Sequence, residues 1–161
     1  MTDESSHRYP HFLAVDGSSW EENAHPVAIA WSLADGTIKT TLIQPEDDWH
    51  DWDFALEDLH GISQDTLYQR GETCWSVLRE LEHDLEQPLV ASDDAPRTEQ
   101  LLETLYEACG RDLSLEVSAC YDQVQDQNLI REVREDLQLS DQMCDDRVRM
   151  MLEVWARENR Q

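Results

Sequence analysis

The feature that most constrains this chain is the order in which its apolar runs change period. Pro26–Ser32 (PVAIAWS) is a short apolar run, and residues 37–44 (TIKTTLIQ) alternate β-branched and polar side chains as a half-buried strand does. Asp35-Gly36 lies between them and favours the positive φ angles of a tight turn, so the two runs predict an antiparallel hairpin. An earlier run over 11–15 ends at Asp16-Gly17-Ser18-Ser19, a strand closed by a turn. After Pro45 the period becomes helical. Residues 53–59 and 65–69 predict short helices around His60-Gly61-Ile62-Ser63, and Thr73 caps a longer helix to about Glu86 with Val77, Leu78, Leu81 and Leu85 on one face.

Residues 88–92 (PLVAS) then form a continuous apolar run, as expected of a strand buried on both faces. Pro96 is placed to start a helix that continues to about Ala108 and ends at Gly110. Residues 113–117 predict a fifth strand, and two helices fill the remainder. A meander followed by β-α-β-α crossovers makes an α/β protein with a mixed five-stranded sheet flanked by helices. That order is found in the ribonuclease-H-like fold and in other α/β folds. The chain has 161 residues, 40% of them hydrophobic, which is enough for one packed core. There are no repeats and no linker, so residues 1–10 read as a polar tail and 11–158 as a single domain.

The charge narrows the partners. Lys+Arg number 12 and Asp+Glu 36, a formal net charge of −24. Such a surface repels nucleic acid and anionic membranes at long range. Lys39 is the only lysine, and this Asp/Glu-rich, Lys-poor balance is what salt-adapted proteins carry, where screening falls from about 10 Å at 0.1 M salt to about 3 Å at 1 M. No stretch reaches the roughly 18 apolar residues of a membrane span, and the opening has no signal-peptide pattern, so a soluble cytoplasmic protein is expected. Cys74, Cys109, Cys120 and Cys144 lack zinc-ligand spacing and read as reduced thiols.

Four segments carry a family resemblance: Phe12-Leu13-Ala14-Val15-Asp16-Gly17-Ser18-Ser19, Leu59-His60-Gly61-Ile62-Ser63, Leu89-Val90-Ala91-Ser92-Asp93-Asp94-Ala95-Pro96, and Cys144-Asp145-Asp146. In order and spacing they resemble the DEDDh-type 3′-to-5′ exonucleases, the family of ribonuclease T and the polymerase proofreading subunits. The resemblance implies the ribonuclease-H-like fold, two Mg²⁺ or Mn²⁺ ions held by four carboxylates, a histidine general base, and single-stranded nucleic-acid 3′ ends as substrate. It makes a homodimer one expected assembly. The motifs are degenerate. Asp-x-Glu falls on Ala14-Val15-Asp16 or, two residues on, on Asp16-Gly17-Ser18, and either frame loses one acid. The next acid falls near Arg97-Thr98-Glu99, with Glu99 the nearest equivalent. The last motif falls on Asp141 and Asp146, a carboxylate standing where the base should be. The metal ligands implied are therefore Asp16, Glu99 and Asp146, with Asp141 as a weak base and His60 near the substrate.

Local chemistry offers other readings of the same residues. Asp16 before Gly17 suits a strand-ending turn, and Asp141, Asp145 and Asp146 after Ser140 suit the first turn of a helix. Glu99 has the same dipole explanation. Trp49 and Trp52 flank His50 and could stack on bases or pack internally. Three functions follow: an exonuclease with an altered site, a binding or scaffold protein that kept the fold and lost the metals, and an acidic mimic of nucleic acid.

Overall fold

Strand β2 (Pro26–Ser32) is buried along its whole length because it is paired on both edges and covered on both faces. It runs antiparallel to β1 (Leu13–Gly17) and to β3 (Ile38–Leu42). The predicted turn joins β2 to β3, with Gly36 at φ 87° and the Thr37 amide donating to Asp35 Oδ1 at 2.9 Å. The structure, a computed structural model, describes residues 9–139 and 143–159. Its further elements are α1 (Phe54–His60), α2 (Gln64–Arg70), α3 (Cys74–Asp84), β4 (Leu89–Ser92), α4 (Ala95–Ala108), β5 (Glu116–Ala119), α5 (Gln127–Leu137) and α6 (Cys144–Glu158).

The expected single five-stranded sheet requires correction. The strands form a three-stranded antiparallel ladder, β1-β2-β3, and a two-stranded parallel ladder, β4-β5. The ladders meet at one bridge, Phe12 to Ala91, where the Ala91 amide donates to the His11 carbonyl at 3.0 Å. Backbone groups of alternate residues face opposite edges of a strand. Phe12 pairs with Ser32 of β2, so the carbonyl of Val15 faces the β4 edge. That carbonyl accepts from Arg147 Nη2 at 2.8 Å, and a side chain takes the place of further strand pairing.

The two faces of the sheet differ in side-chain size. Leu13, Val15, Ile29 and Trp31 pack with Leu78 and Leu81 of α3 and Leu101, Leu102 and Leu105 of α4. Ala14, Ala28 and Ala30 point the other way and pack with Cys144, Val148 and Met151 of α6. Three alanines let α6 approach the backbone of β1 and β2, which brings its first turn to the end of β1. The strand expected to be buried on both faces is covered less fully. Val90 and Ser92 are buried, whereas Leu89 is 44% exposed and borders an open groove with His11 and Glu116.

The cap read at Thr73 is present, and polar side chains cap other helices as well. Asp53, Ser63, Thr73 and Asp94 each accept an amide of the helix that follows. The only lysine, Lys39 on β3, reaches Glu80 at 2.9 Å and Asp84 at 2.8 Å on α3, and Asp84 also accepts Trp31 Nε1 at 2.9 Å. Tyr9 packs edge-on against Trp155, and its amide donates to the Ala34 carbonyl.

Two outcomes test this packing. A Cβ at Gly71 would stand 2.5 Å from the Leu67 carbonyl oxygen and 2.6 Å from the Gln44 nitrogen, both backbone atoms that cannot move aside. Gly71→Ala is therefore expected to destabilise the chain by about 3 kcal/mol, read as a lower urea midpoint; an unchanged midpoint refutes the close approach. His25 is buried, stacks on Trp49 at 5.0 Å, and has Nε2 3.0 Å from the Asp51 carbonyl oxygen. Burial holds its pKa below the ordinary value, against the opposing pull of the Pro26 and Asp51 carbonyls. The unfolded chain protonates near pH 6.5 while the folded one stays neutral, so this contribution is full above about pH 6.5 and is lost as pH falls through the folded pKa. His25→Gln should flatten the decline in stability between about pH 7 and about pH 5; an equal slope in the variant assigns the decline elsewhere.

Candidate functional site

Asp16 is the penultimate residue of β1, and the pairing with β2 slips between Asp16 and Gly17. The side chain is turned into a narrow space below α6 and is 7% exposed. Its Oδ2 accepts the Cys144 amide at 2.9 Å, and its Oδ1 lies 3.3 Å from Arg147 Nη2. Helix α6 has no side-chain cap of its own at Met143, so β1 supplies one from 128 residues away. Burial pushes the Asp16 pKa up, and Arg147, the Cys144 amide and His60 pull it back. Burial and the Asp16 charge together raise the Cys144 thiol well above its usual value, which leaves it protonated and inert.

Two arginines line the same cavity as this carboxylate. Arg147 donates through Nη2 to the Val15 carbonyl, and its Nη1 lies 3.4 Å from both oxygens of Asp93. Arg97, in the first turn of α4, donates through Nη2 to the Ser19 carbonyl and through Nη1 to the Glu21 carbonyl, and lies 5.1 Å from the ring centre of Trp20. Among the described residues no carboxylate lies within ion-pair distance of Arg97. His60 ends α1, is 8% exposed, and has no hydrogen-bond partner at either ring nitrogen. Burial lowers its pKa, opposed by the charges of Asp16 and Glu57. Asp16, His60, Arg97 and Arg147 line one cavity of about 20 Å³, room for about one water-sized group. Trp20, at 63% exposure, stands beside it.

The residues implied by the resemblance are only partly gathered here. Asp16 and His60 line the cavity; Ala14 is sealed in the core beneath α6. Ser18, the other residue of the shifted frame, is buried and donates to Asp51 Oδ2 at 2.6 Å. Glu99 is exposed on α4, and Asp146 is half-buried on α6 without lining the cavity. The charged side chains that α4 and α6 bring to the cavity are Arg97 and Arg147. Asp141 and its neighbour Ser140 lie outside the described residues. Among the described residues no group of three or more Asp, Glu, His or Cys side chains could hold a metal ion. A pair of divalent cations needs the carboxylate lone pairs that the Cys144 amide and Arg147 use here, so these residues do not fit it.

The sequence reading did not single out Arg97 or Arg147. A signal was present: each is a cation in the first turn of a helix, where the dipole favours acids, so each needs a compensating partner from elsewhere in the fold. The Trp49-His50-Trp52 segment packs internally instead of forming an open platform. Trp49 stacks on His25, and Trp52 Nε1 donates to Glu57 Oε1 at 2.9 Å. All four cysteines are free thiols.

No protein-family model matches the chain, and no curated protein matches it at a significant level. Solved structures do. Exonuclease I of E. coli in complex with a dA16 oligonucleotide superposes with a TM-score of 0.71 at 10% identity, covering 94% of this chain and 42% of that one. A moderately thermophilic exonuclease I from Methylocaldum szegediense gives 0.64 at 13% identity, over 93% and 40%. A 3′-exonuclease whose structure concerns 3′-end recognition of the histone mRNA stem-loop gives 0.68 at 12% identity, over 92% and 63%. The chain spans about two fifths of the length of the exonuclease I chains. At these identities the likeness is one of fold, and the chain has the fold shared by exonuclease I and the histone-mRNA 3′-exonuclease.

Proposed function

We propose that this chain is a nucleic-acid-binding protein built on a 3′-to-5′ exonuclease fold, and that it does not hydrolyse by a two-metal mechanism. The observation that carries the reading is the Arg147 guanidinium bonded to Asp16 and bridging to Asp93. Two like unit charges 4 Å apart cost about 4 kcal/mol at an effective dielectric of 20, and a divalent ion beside a guanidinium costs about twice that. A metal at Asp16 would have to displace Arg147 and leave its charge buried. The binding half of the proposal is supported by the oligonucleotide in the E. coli exonuclease I structure and the stem-loop of the histone-mRNA enzyme. The net charge of −24 opposes approach from a distance. At physiological salt that repulsion is screened beyond about 8 Å, and the local cations around Asp16 act inside that distance.

A 3′-labelled single-stranded oligonucleotide separates the readings. The wild type should retain it in EDTA and leave it intact with Mg²⁺ or Mn²⁺. Digestion that Asp16→Asn abolishes overturns the loss of hydrolysis, and absence of binding across a salt series overturns the binding role. The ion pair has its own test. Arg147→Met should cost about 3 to 5 kcal/mol at neutral pH, because it leaves a buried unpaired carboxylate. The lone Asp16 then has a raised folded pKa, so its penalty is absent below about pH 4 and grows as pH rises through the folded value. Adding Asp16→Asn to Arg147→Met should recover much of the loss. Additive single effects in urea denaturation would show the pair is not coupled.

A further inference from the structure

The cavity at Asp16 holds unused hydrogen-bonding capacity among its buried side chains. Acids outnumber bases 36 to 12, and Lys39, Arg111, Arg147 and Arg157 each have a carboxylate partner within ion-pair distance. Arg97 has none among the described residues, nor do Arg70, Arg79, Arg131 and Arg149, but those four are exposed and Arg97 is half-buried; its bonds run to carbonyl oxygens and to Gln100. Burial draws its pKa down, against the opposing charges of Asp94 and Asp51. Beside it His60 is more than nine-tenths buried with both ring nitrogens unpartnered, and the Nε atoms of Arg97 and Arg147 are buried without partners as well. Each unmade bond of this kind costs about 1–3 kcal/mol and calls for an explanation. An oxygen-rich anion entering the cavity would supply one.

We propose that Arg97, Arg147 and His60 form a receptor for a phosphomonoester, the terminal phosphate of a nucleotide or of a nucleic-acid strand. This rests on the binding role proposed above and specifies what the site binds. A cavity of about 20 Å³ admits one oxygen and leaves the phosphorus and remaining oxygens at the mouth, where Arg97 stands. The lining carries two guanidiniums and the carboxylate of Asp16, and Asp93 lies 3.4 Å from Arg147, so Arg97 is the lining cation with no carboxylate within ion-pair distance among the described residues. A phosphomonoester offers the unpartnered nitrogens more acceptor oxygens than a carboxylate does, and an internal phosphodiester has no terminal PO₃ group. The exposed ring of Trp20, stacked with Arg97 at the rim, offers a flat face to an attached base.

Calorimetry on the whole chain in EDTA, at fixed ionic strength, tests this with inorganic phosphate, a nucleoside 3′-monophosphate, acetate, and one oligonucleotide carrying a 3′-phosphate, a 5′-phosphate or a 3′-hydroxyl. The phosphomonoesters should bind and acetate should not. Arg97→Met should weaken binding about tenfold or more and His60→Gln several-fold, with Trp75→Ala as the unaffected control and circular dichroism reporting the fold. The His60 ring resonances of the wild type should also shift on saturation with the monophosphate, a readout that survives if Arg97→Met fails to fold. A 3′- or 5′-phosphate preference of the oligonucleotide identifies a strand end as the source; tight binding of mononucleotide alone identifies a free nucleotide. Phosphate affinity no greater than that of acetate, or unchanged in a folded Arg97→Met, overturns the proposal. Equal binding of phosphorylated and hydroxyl-ended strands, with no phosphate affinity, sinks the receptor and leaves the nucleic-acid role standing. Phosphate binding with no affinity for any strand does the reverse.

Discussion

The arrangement at the end of β1 depends on one buried carboxylate. Asp16 is bonded to the amide that opens α6 and to the guanidinium one turn further along that helix. A buried charge is tolerated only when its lone pairs are used and its charge is answered. Asp16 meets both conditions with groups from α6, so the helix is fixed by electrostatics at its start and by Val148 and Met151 against the sheet along its length. Arg147 in turn takes the Val15 carbonyl and bridges to Asp93 just before α4, which joins the two ladders where strand pairing is sparse.

The asymmetric core makes that arrangement reachable. Had Ala14, Ala28 and Ala30 been as large as Leu13, Ile29 and Trp31 on the opposite face, α6 would stand off the sheet and its first amide would lie beyond Asp16. Side-chain volume on one face of the strands thus sets the distance that the charge pair at their end requires. The acidity of the chain plays no part in this packing. It is carried largely on solvated helix faces, and it makes the gathering of Arg97 and Arg147 at one cavity the more informative.

The backbone elements were legible because they are written in local chemistry. The Asp35-Gly36 hairpin, Thr73 at its helix start and Pro96 in the first turn of its helix each follow from one or two residues, and the fold matches the one implied by the motif order. What was not legible depends on partners far apart in sequence. That the sheet would split into two ladders rests on a side chain at 147 taking a carbonyl at 15. The site was half legible: Asp16 and His60 could be placed by resemblance, whereas Glu99 faces solvent and Arg97, two residues earlier, faces the cavity. A helix turns 100° per residue, so the neighbour of an expected ligand can be the residue that matters.

A guanidinium and a divalent cation support different chemistry beside a phosphate. A divalent cation both neutralises phosphate and acidifies a bound water enough to make hydroxide near neutral pH. A guanidinium does the first and not the second, because it has no open coordination position and stays protonated throughout the physiological range. On the proposed role, Arg97 and Arg147 would attract a phosphate at this cavity without generating a nucleophile. The acid charges acting on His60 are those of Asp16 and Glu57, and the Asp16 oxygens are committed to Cys144 and Arg147. On the proposed role, binding and hydrolysis are separable in this fold.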